Sequence, residues 1–183
     1  MGMRFRISAK SFYQVNPIQT KHLYQGALDM AALTGKERVL DAYCGTGTIG
    51  MIASRDAKEV TGVELNRDAV RDAITNAKTN QVKNICFVCQ DATEYICKAA
   101  AKKEHFDVVL MDPPRAGSTK EFVDAVISLA PERVVYVSCN PETLARDLKW
   151  FCRAYRVETI RPYDMFPLTG HCETVCLLSR KAQ

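Results

Sequence analysis

The sequence contains no apolar run that approaches the roughly 20 residues of a membrane-spanning helix. No apolar segment of the kind that directs secretion follows Met1-Gly2-Met3-Arg4. Internal repeats, low-complexity stretches and flexible linkers are also missing. These absences argue against membrane, exported and repeat proteins. The length of 183 residues is that of one domain with a sizeable core.

The eight cysteines do not complete a metal-binding pattern. Cys86 and Cys89 have the Cys-x-x-Cys spacing of half a zinc site, but no second such pair and no histidine pair accompanies them. Most cysteines lie in apolar segments, as is typical of reduced, buried thiols in the cytosol. We therefore expect no metal, a cytoplasmic location and buried side chains for Cys86 and Cys89. Cys172 and Cys176 are four residues apart, a spacing at which both side chains face one way in a strand, and they are expected to pack inside.

The net charge of +4 comes entirely from the first 38 residues. That segment holds six basic and two acidic side chains, whereas the rest of the chain holds 19 of each. A basic leading segment on a neutral body favours contact with a polyanion, although an ordinary solvated surface has the same composition.

Short apolar segments alternate with helical patterns through most of the chain. Strand–helix alternation of this kind predicts a parallel sheet covered by helices on both faces. In chain order and starting with a strand, the predicted elements are Arg38–Tyr43, Thr48–Ser54, Glu59–Glu64, Arg67–Asn80, Ile85–Val88, Thr93–Lys103, Phe106–Met111, Lys120–Leu129, Arg133–Ser138 and Glu142–Cys152.

Two further strand-like segments, Tyr155–Ile160 and Glu173–Leu178, end the chain. The turn-rich segment Arg161–Gly170 between them has no room for a helix, so this pair is predicted to be antiparallel. The whole pattern predicts an α/β fold with a Rossmann-like, doubly wound sheet of seven strands, mostly parallel with one antiparallel strand, as in class I methyltransferases. Ahead of it, Pro17–Leu33 is predicted to be a helix capped by Asn16. Residues 1–36 thus form a lead-in to a core of residues 37–183.

A glycine-rich loop follows the first predicted strand. Gly45, Gly47 and Gly50 have the G-x-G-x-x-G spacing that lets a backbone turn sharply and approach a ligand closely. Glu64 ends the second strand, 19 residues after Gly45, where a carboxylate can accept hydrogen bonds from ribose hydroxyls. NAD and S-adenosylmethionine both fit this pattern, so alone it predicts only a cofactor that contains adenosine.

The segment Asp112-Pro113-Pro114-Arg115 distinguishes between these two candidate cofactors. Paired prolines stiffen a loop, and Asp112 is predicted to project at the edge of the sheet where ligands of open α/β folds bind. Many nucleic-acid methyltransferases have Asp/Asn-Pro-Pro-aromatic at this place. Arg115 instead of the aromatic residue marks a subgroup, or is a surface charge or part of an ion pair.

A cysteine stands where the fifth strand gives way to a helix, in Ser138-Cys139-Asn140-Pro141. Asn140 suits the N-cap and Pro141 the first turn. Cys139 is therefore predicted to lie at the positive end of a helix dipole, where a thiol loses its proton more easily. Without its neighbours, Cys139 would be read as a buried thiol; with them, a nucleophile is favoured.

Together these segments resemble the RNA uracil-5-methyltransferases, which make 5-methyluridine in transfer and ribosomal RNA. The resemblance is carried by residues 112–117 and, after sixteen residues, 134–143, with Phe12–Asn16 upstream and Phe166–Glu173 at the end. It implies transfer of a methyl group from S-adenosylmethionine to carbon 5 of a uridine, through a covalent bond between a cysteine and carbon 6.

By position, the resemblance also implies roles for individual residues. Cys139 matches the nucleophile and Glu173 the general base, with His171 as an alternative base because imidazole ordinarily titrates near neutral pH. The positions that bind S-adenosylmethionine are matched by Gln14, Tyr43, Glu64 and Asp112. Phe12 matches an aromatic side chain close to the target base, and Thr48 replaces an asparagine found in many members.

Members of that family are usually longer, with an N-terminal RNA-binding domain and an additional central domain. The resemblance therefore implies a catalytic domain only. We expect a monomer that acts on RNA, with ribosomal RNA ahead of transfer RNA. Two alternatives stay open: a catalytic fragment that binds S-adenosylmethionine without turning over RNA, and a cytosine-5 RNA methyltransferase.

Overall fold

A computed structural model describes residues 2–6 and 16–182 of the protein. In chain order the elements are α1 (Pro17–Ala31), β1 (Arg38–Ala42), α2 (Thr48–Ala53), β2 (Glu59–Glu64), α3 (Arg67–Thr79), β3 (Ile85–Cys89), α4 (Ala92–Ala101), β4 (Val108–Met111), α5 (Lys120–Leu129), β5 (Arg133–Ser138), α6 (Pro141–Phe151), β6 (Tyr155–Tyr163) and β7 (Glu173–Arg180).

The strands form one seven-stranded sheet in the order β3-β2-β1-β4-β5-β7-β6. Strands β1 to β5 are parallel to one another, and β7 runs antiparallel to both of its neighbours, β5 and β6. The predicted seven-stranded α/β sheet with one antiparallel strand is therefore confirmed. Because the order reverses between β1 and β4, a crevice opens there at the carboxyl ends of the strands.

The central strands bury both of their faces. On β5, Val134 and Tyr136 pack with α4, α5 and α6, whereas Val135 and Val137 point to the opposite face and pack with α1 and α2. Alternation of side chains along a strand produces this division. Because the strands are packed between two apolar layers, the side chains at their carboxyl ends are attached to a well-packed sheet.

Caps define several helix ends. The Asn16 side chain accepts a hydrogen bond from the Gln19 amide, with Pro17 in the first turn, as predicted. Helix α1 ends at Ala31 rather than Leu33, because Ala32 takes a left-handed conformation and its amide bonds back to Leu28.

Strand β6 is longer than predicted and runs to Tyr163. Arg161, Pro162 and Tyr163, assigned to the turn from sequence, pair with residues 173–175 of β7. The proline is compatible with a strand here because β6 is at the edge of the sheet, where no neighbour needs its missing amide hydrogen. As predicted, no helix forms in the connection that remains before β7.

Backbone groups of the leading segment are bound by two asparagines, Asn76 of α3 and Asn80, which caps the end of that helix. Asn80 accepts from the Arg4 amide and donates to the Arg4 carbonyl, and Asn76 does the same for Arg6, at 2.6–3.0 Å. Arg4 and Arg6 are exposed, so their charges remain available at the surface.

The expectation that Cys86 and Cys89 are buried is wrong, since both are exposed. The physical reason is their place on β3, which is an edge strand. Cys176 is buried on β7, as predicted, but Cys172 is only partly buried because it precedes the strand. Within residues 2–6 and 16–182, no group of three or more His, Cys, Asp or Glu side chains is arranged to hold a metal. In the same ranges, no helix has the length and apolar character needed to cross a bilayer.

Candidate active site

A cavity of about 400 Å³ opens at the carboxyl ends of the strands, a size typical of small-molecule sites. Five of the residues singled out from sequence line it together: Tyr43, Glu64, Asp112, Cys139 and Glu173. Glu64 ends β2 and Glu173 begins β7, whereas the other three directly follow β1, β4 and β5, and these strand ends converge at this edge. Gln14 and Phe12 lie outside the described residues.

The glycine-rich loop forms one wall of the cavity. It begins at Tyr43, whose φ of 63° is unusual for a residue with a side chain, and Gly47 then caps α2 with a φ of 78°. A side chain at Gly47 would meet the Phe87 ring at 2.7 Å, so only glycine fits. Beside it, Gly45 has no atom within 4 Å of the place a side chain would take, which leaves the cavity open there.

Glu64 is held at the cavity by two backbone amides. Its Oε2 accepts from the Gly45 amide at 3.0 Å and its Oε1 from the Asn66 amide at 2.7 Å. A carboxylate has about four acceptor sites, so both oxygens can accept further hydrogen bonds. This arrangement suits a ligand with two neighbouring hydroxyl groups.

Two further carboxyl groups give the cavity unusual electrostatics. Asp41 accepts a hydrogen bond from the Gly50 amide at 2.9 Å, yet burial and the nearby Glu64 raise its pKa to about 7. Burial, followed by Glu173 and Asp41, raises the pKa of Asp112 to about 8. Carboxyl groups crowded in this way favour a ligand that brings positive charge.

An Asp112→Asn exchange is expected to stabilise the protein, and more so at high pH. The folded state binds the Asp112 proton more tightly than the unfolded chain, so stability falls as pH rises from about 4 to about 8. At pH 8.5 the variant should gain about 2 kcal/mol, or about 4–8 °C in Tm, with only about a third of that gain at pH 5. Thermal unfolding at both pH values measures this.

Asp124→Asn is the matched control. Lys120 and Arg153 lower the pKa of this surface carboxyl group. Its ionised form therefore stabilises the folded state, and this stabilisation is fully present at both pH values. Its replacement should lower Tm slightly and equally at pH 5 and 8.5. A gain for Asp112→Asn that does not depend on pH would contradict the expectation.

Cys139 lies half-buried between β5 and α6, and its pKa is raised, not lowered. Burial has the largest effect, followed by the carboxyl groups of Glu173 and Asp112, while Arg115 acts in the opposite direction. The prediction of a lowered pKa is therefore wrong. The physical reason is that burial, together with two carboxyl groups from other strands, outweighs the helix N-terminus, whose Glu142 amide is already bound by the Asn140 side chain.

Glu173 begins β7 and is 6% exposed. Burial raises the pKa of its carboxyl group, and no side-chain hydrogen bond satisfies that group within the described ranges. His171 is exposed, with its Nδ1 3.3 Å from Arg115 Nη1 and its ring against Phe166, and it does not line the cavity. Of the two candidate bases, Glu173 therefore shares the cavity with Cys139, whereas His171 does not.

Sequence reasoning missed the network that ties the loop after β4 to α6. Its centre is Asp147, a fully buried carboxylate that accepts from the Ser118 amide and the Tyr136 hydroxyl. One signal was present: Asp147 occupies the apolar face of α6, three residues after Leu144 and four before Phe151. An acidic residue at such a position needs a partner, which only the fold identifies.

Residues 1–181 match the family model described as tRNA (Uracil-5-)-methyltransferase. Proteins named as uncharacterized RNA methyltransferases from Clostridium acetobutylicum and Enterococcus faecalis are 48% and 49% identical to this chain, over 97% of it and 39% of their own length. The crystal structure of Pyrococcus abyssi tRNA (uracil-54, C5)-methyltransferase in complex with S-adenosyl-L-homocysteine superimposes with a TM-score of 0.80 at 35% identity, covering 95% of this chain and 41% of that one. The chain spans about two fifths of the length of these relatives.

Proposed function

The chain belongs to the tRNA (uracil-5-)-methyltransferase family and its cofactor is S-adenosylmethionine, and on this basis we propose that it methylates carbon 5 of a uridine in RNA. One observation carries the proposal: Cys139 and Glu173 line the same cavity as Glu64 and Asp112. A nucleophile, a base and the groups suited to the cofactor therefore share one space.

The residues present fit the cofactor. Glu64, oriented by two amides, is placed to accept hydrogen bonds from the ribose hydroxyls, and the open space at Gly45 allows close approach of the ligand. A sulfonium or ammonium group beside Asp41 and Asp112 would lower their raised pKa values, and the resulting carboxylates would stabilise the bound cation. Tyr43 lines the same wall, and the role of Gln14 stays a prediction. When bound, S-adenosylmethionine supplies an electrophilic methyl group.

Carbon 5 of uracil is too weak a nucleophile to take that methyl group unaided, and Cys139 supplies the activation. Its thiol releases a proton to solvent, and the sulfur bonds to carbon 6 while the electron pair of the C5–C6 double bond moves toward O4. The resulting enolate makes carbon 5 nucleophilic, and carbon 5 takes the methyl group while the electron pair of the broken methyl–sulfur bond leaves with S-adenosylhomocysteine. Fixed placement of both reactants lowers the barrier to this step.

Glu173 completes the reaction by removing a proton. Its carboxylate takes the hydrogen from carbon 5, the electron pair restores the C5–C6 double bond, and the Cys139 sulfur leaves carbon 6. The raised pKa of Glu173 makes it a stronger base than an exposed glutamate.

The test uses RNA in which 5-fluorouridine replaces uridine, offered with S-adenosylmethionine as transcripts of transfer RNA and of ribosomal RNA. Fluorine cannot leave as a proton does, so the covalent complex should accumulate. Intact-mass spectrometry should find protein joined to RNA with one added methyl group. An adduct with the ribosomal transcript alone would support the expected preference for ribosomal RNA, and one with the transfer RNA would reverse it.

Two other outcomes would overturn the proposal at different points. Binding of S-adenosylmethionine in calorimetry without any adduct would show that this chain does not engage RNA, as in the alternative of a fragment that only binds cofactor. An adduct with 5-fluorocytidine RNA but none with 5-fluorouridine RNA would instead favour a cytosine-5 enzyme. The monomeric state and the cytoplasmic location stay predictions.

A further inference from the structure

We propose that Asp147 is a positioning residue for methyl transfer: from outside the cavity, it fixes the loop of residues 113–118 against α6 and so sets the place of Cys139 relative to Asp112. The reaction step of this inference rests on the proposed function. The contacts that carry it are properties of the fold.

The Asp147 carboxylate joins three separate parts of the fold. Its Oδ2 accepts from the Ser118 amide and from the Tyr136 hydroxyl, both at 2.7 Å. Its Oδ1 accepts from Arg146 Nη2 at 2.7 Å and from Arg146 Nε at 2.9 Å. The side chain is 0% exposed and does not line the cavity. One buried charge thus links the loop after β4, strand β5 and helix α6 through charge-assisted hydrogen bonds.

Helix α6 also binds the carbonyl groups of this loop. Arg146 Nη2 donates to the carbonyls of Ala116 and Ser118 at 2.9 and 3.1 Å, and Thr143 Oγ1 donates to that of Arg115 at 3.2 Å. The Arg146 guanidinium is itself held over the Trp150 ring, 5.1 Å from its centre. Because the loop is bound along its length, its backbone has little freedom to move relative to α6.

Gly117 shows how close this contact is. Its φ is 78°, and a side chain there would stand 2.6 Å from Arg146 Nη2 and 2.7 Å from Asp147 Oδ2. The Asp-Pro-Pro-Arg-Ala-Gly segment and the helix after Cys139 therefore meet where only glycine allows it. The two halves of the sequence signature are complementary parts of one contact.

The contact between the loop and α6 lies between Asp112, on the cofactor side of the cavity, and the nucleophile Cys139. Asp112 precedes the bound loop, and Cys139 precedes α6 by two residues. On the other side, Ser118 Oγ is 3.4 Å from the Tyr43 hydroxyl, and Tyr43 lines the cavity. A looser contact would change the separation between the nucleophile and the cofactor side of the cavity. Displacements of about 1 Å at such sites can cost about 100-fold in rate.

Asp147→Asn tests this role, because asparagine keeps the size of the side chain but replaces one acceptor oxygen with an amide nitrogen. That nitrogen cannot accept a hydrogen bond from the donors that the oxygen bound. With saturating S-adenosylmethionine, single-turnover methylation is expected to fall about 30- to 100-fold while the cofactor Kd changes by less than about threefold. Tyr136→Phe removes one donor and leaves the loop contact, so a loss of only about threefold is expected. Asp124→Asn, which removes a surface carboxylate from α5, should leave both quantities unchanged.

Alkylation of Cys139 by iodoacetamide, followed by peptide mass mapping across pH, supplies a readout without RNA. Arg115 lies in the bound loop and is the cation that lowers the Cys139 pKa, so loosening the loop should move the alkylation midpoint upward. If the midpoint shifts in Asp147→Asn but the unsubstituted chain does not methylate RNA, the proposed function is refuted and the positioning role is supported. An unchanged midpoint in Asp147→Asn, or a rate loss that only follows the folded fraction, would overturn the positioning role. If Asp147→Asn does not fold, Arg146→Gln takes its place, because it removes the guanidinium that binds the Ala116 and Ser118 carbonyls, and an unchanged rate and midpoint in that variant would overturn the positioning role.

Discussion

A Cys139→Ala variant is expected to form no covalent adduct with 5-fluorouridine RNA and to lose methylation by at least about 10⁴-fold. The loss should be this large because no other thiol can replace Cys139. Cys44 also lines the cavity, but it is buried under the glycine-rich loop. Burial, Asp41 and Glu64 raise the Cys44 pKa well above its usual range, so it stays protonated.

The same variant should keep its affinity for S-adenosylmethionine within about threefold, since Glu64 and Asp112 are untouched. Calorimetry measures the affinity and intact-mass spectrometry the adduct. Cys152→Ala is the matched control, because Cys152 is exposed at the opposite end of α6 and should tolerate alanine without loss of either property. An adduct that persists in Cys139→Ala would exclude Cys139 as the nucleophile.

A Glu173→Gln variant is expected to trap the methylated adduct with ordinary uridine RNA. Glutamine cannot take the proton from carbon 5, so release of the Cys139 sulfur should slow by about 10²- to 10⁴-fold while the earlier bond formation proceeds. Denaturing gels and intact mass should show protein joined to RNA in near-stoichiometric amount. The unsubstituted chain should show little adduct with the same RNA.

His171→Gln separates the two candidate bases. His171 is exposed and contacts Arg115, so its replacement should leave adduct release within about threefold of the original rate. Trapping by His171→Gln together with free release in Glu173→Gln would reverse the assignment. Because the Glu173 pKa is raised, release in the unsubstituted chain should also accelerate with pH to a midpoint above that of an ordinary glutamate.

The order of strands and helices was predictable because local patterns encode it. Apolar segments of strand length separated by amphipathic helices admit few arrangements, and the seven-stranded sheet with β7 antiparallel is the expected one. The convergence of Glu64, Asp112 and Cys139 was also predictable, since residues that end parallel strands share one edge of the sheet. The limits of β6 were not, because pairing with β7 extends it through Pro162.

Properties that depend on distant neighbours were not predictable from local pattern. The exposure of Cys86 and Cys89 follows from the position of β3 at the edge of the sheet. The rise in the Cys139 pKa follows first from burial and then from Glu173 and Asp112, which reach the thiol from other strands. The local sequence shows only the helix N-terminus beside Cys139, and it therefore predicts a lowered pKa for this thiol.

By itself, the sequence determined the fold class, the edge of the sheet at which the chemistry takes place and the residue types that carry it, because periodicity and turn residues act over a few positions. Only the tertiary structure decided the protonation tendencies in the cavity and the role of Asp147. Burial and electrostatic interaction depend on distances through space, and Ser118, Tyr136 and Asp147 become neighbours only when the loop, strand and helix that carry them are packed together.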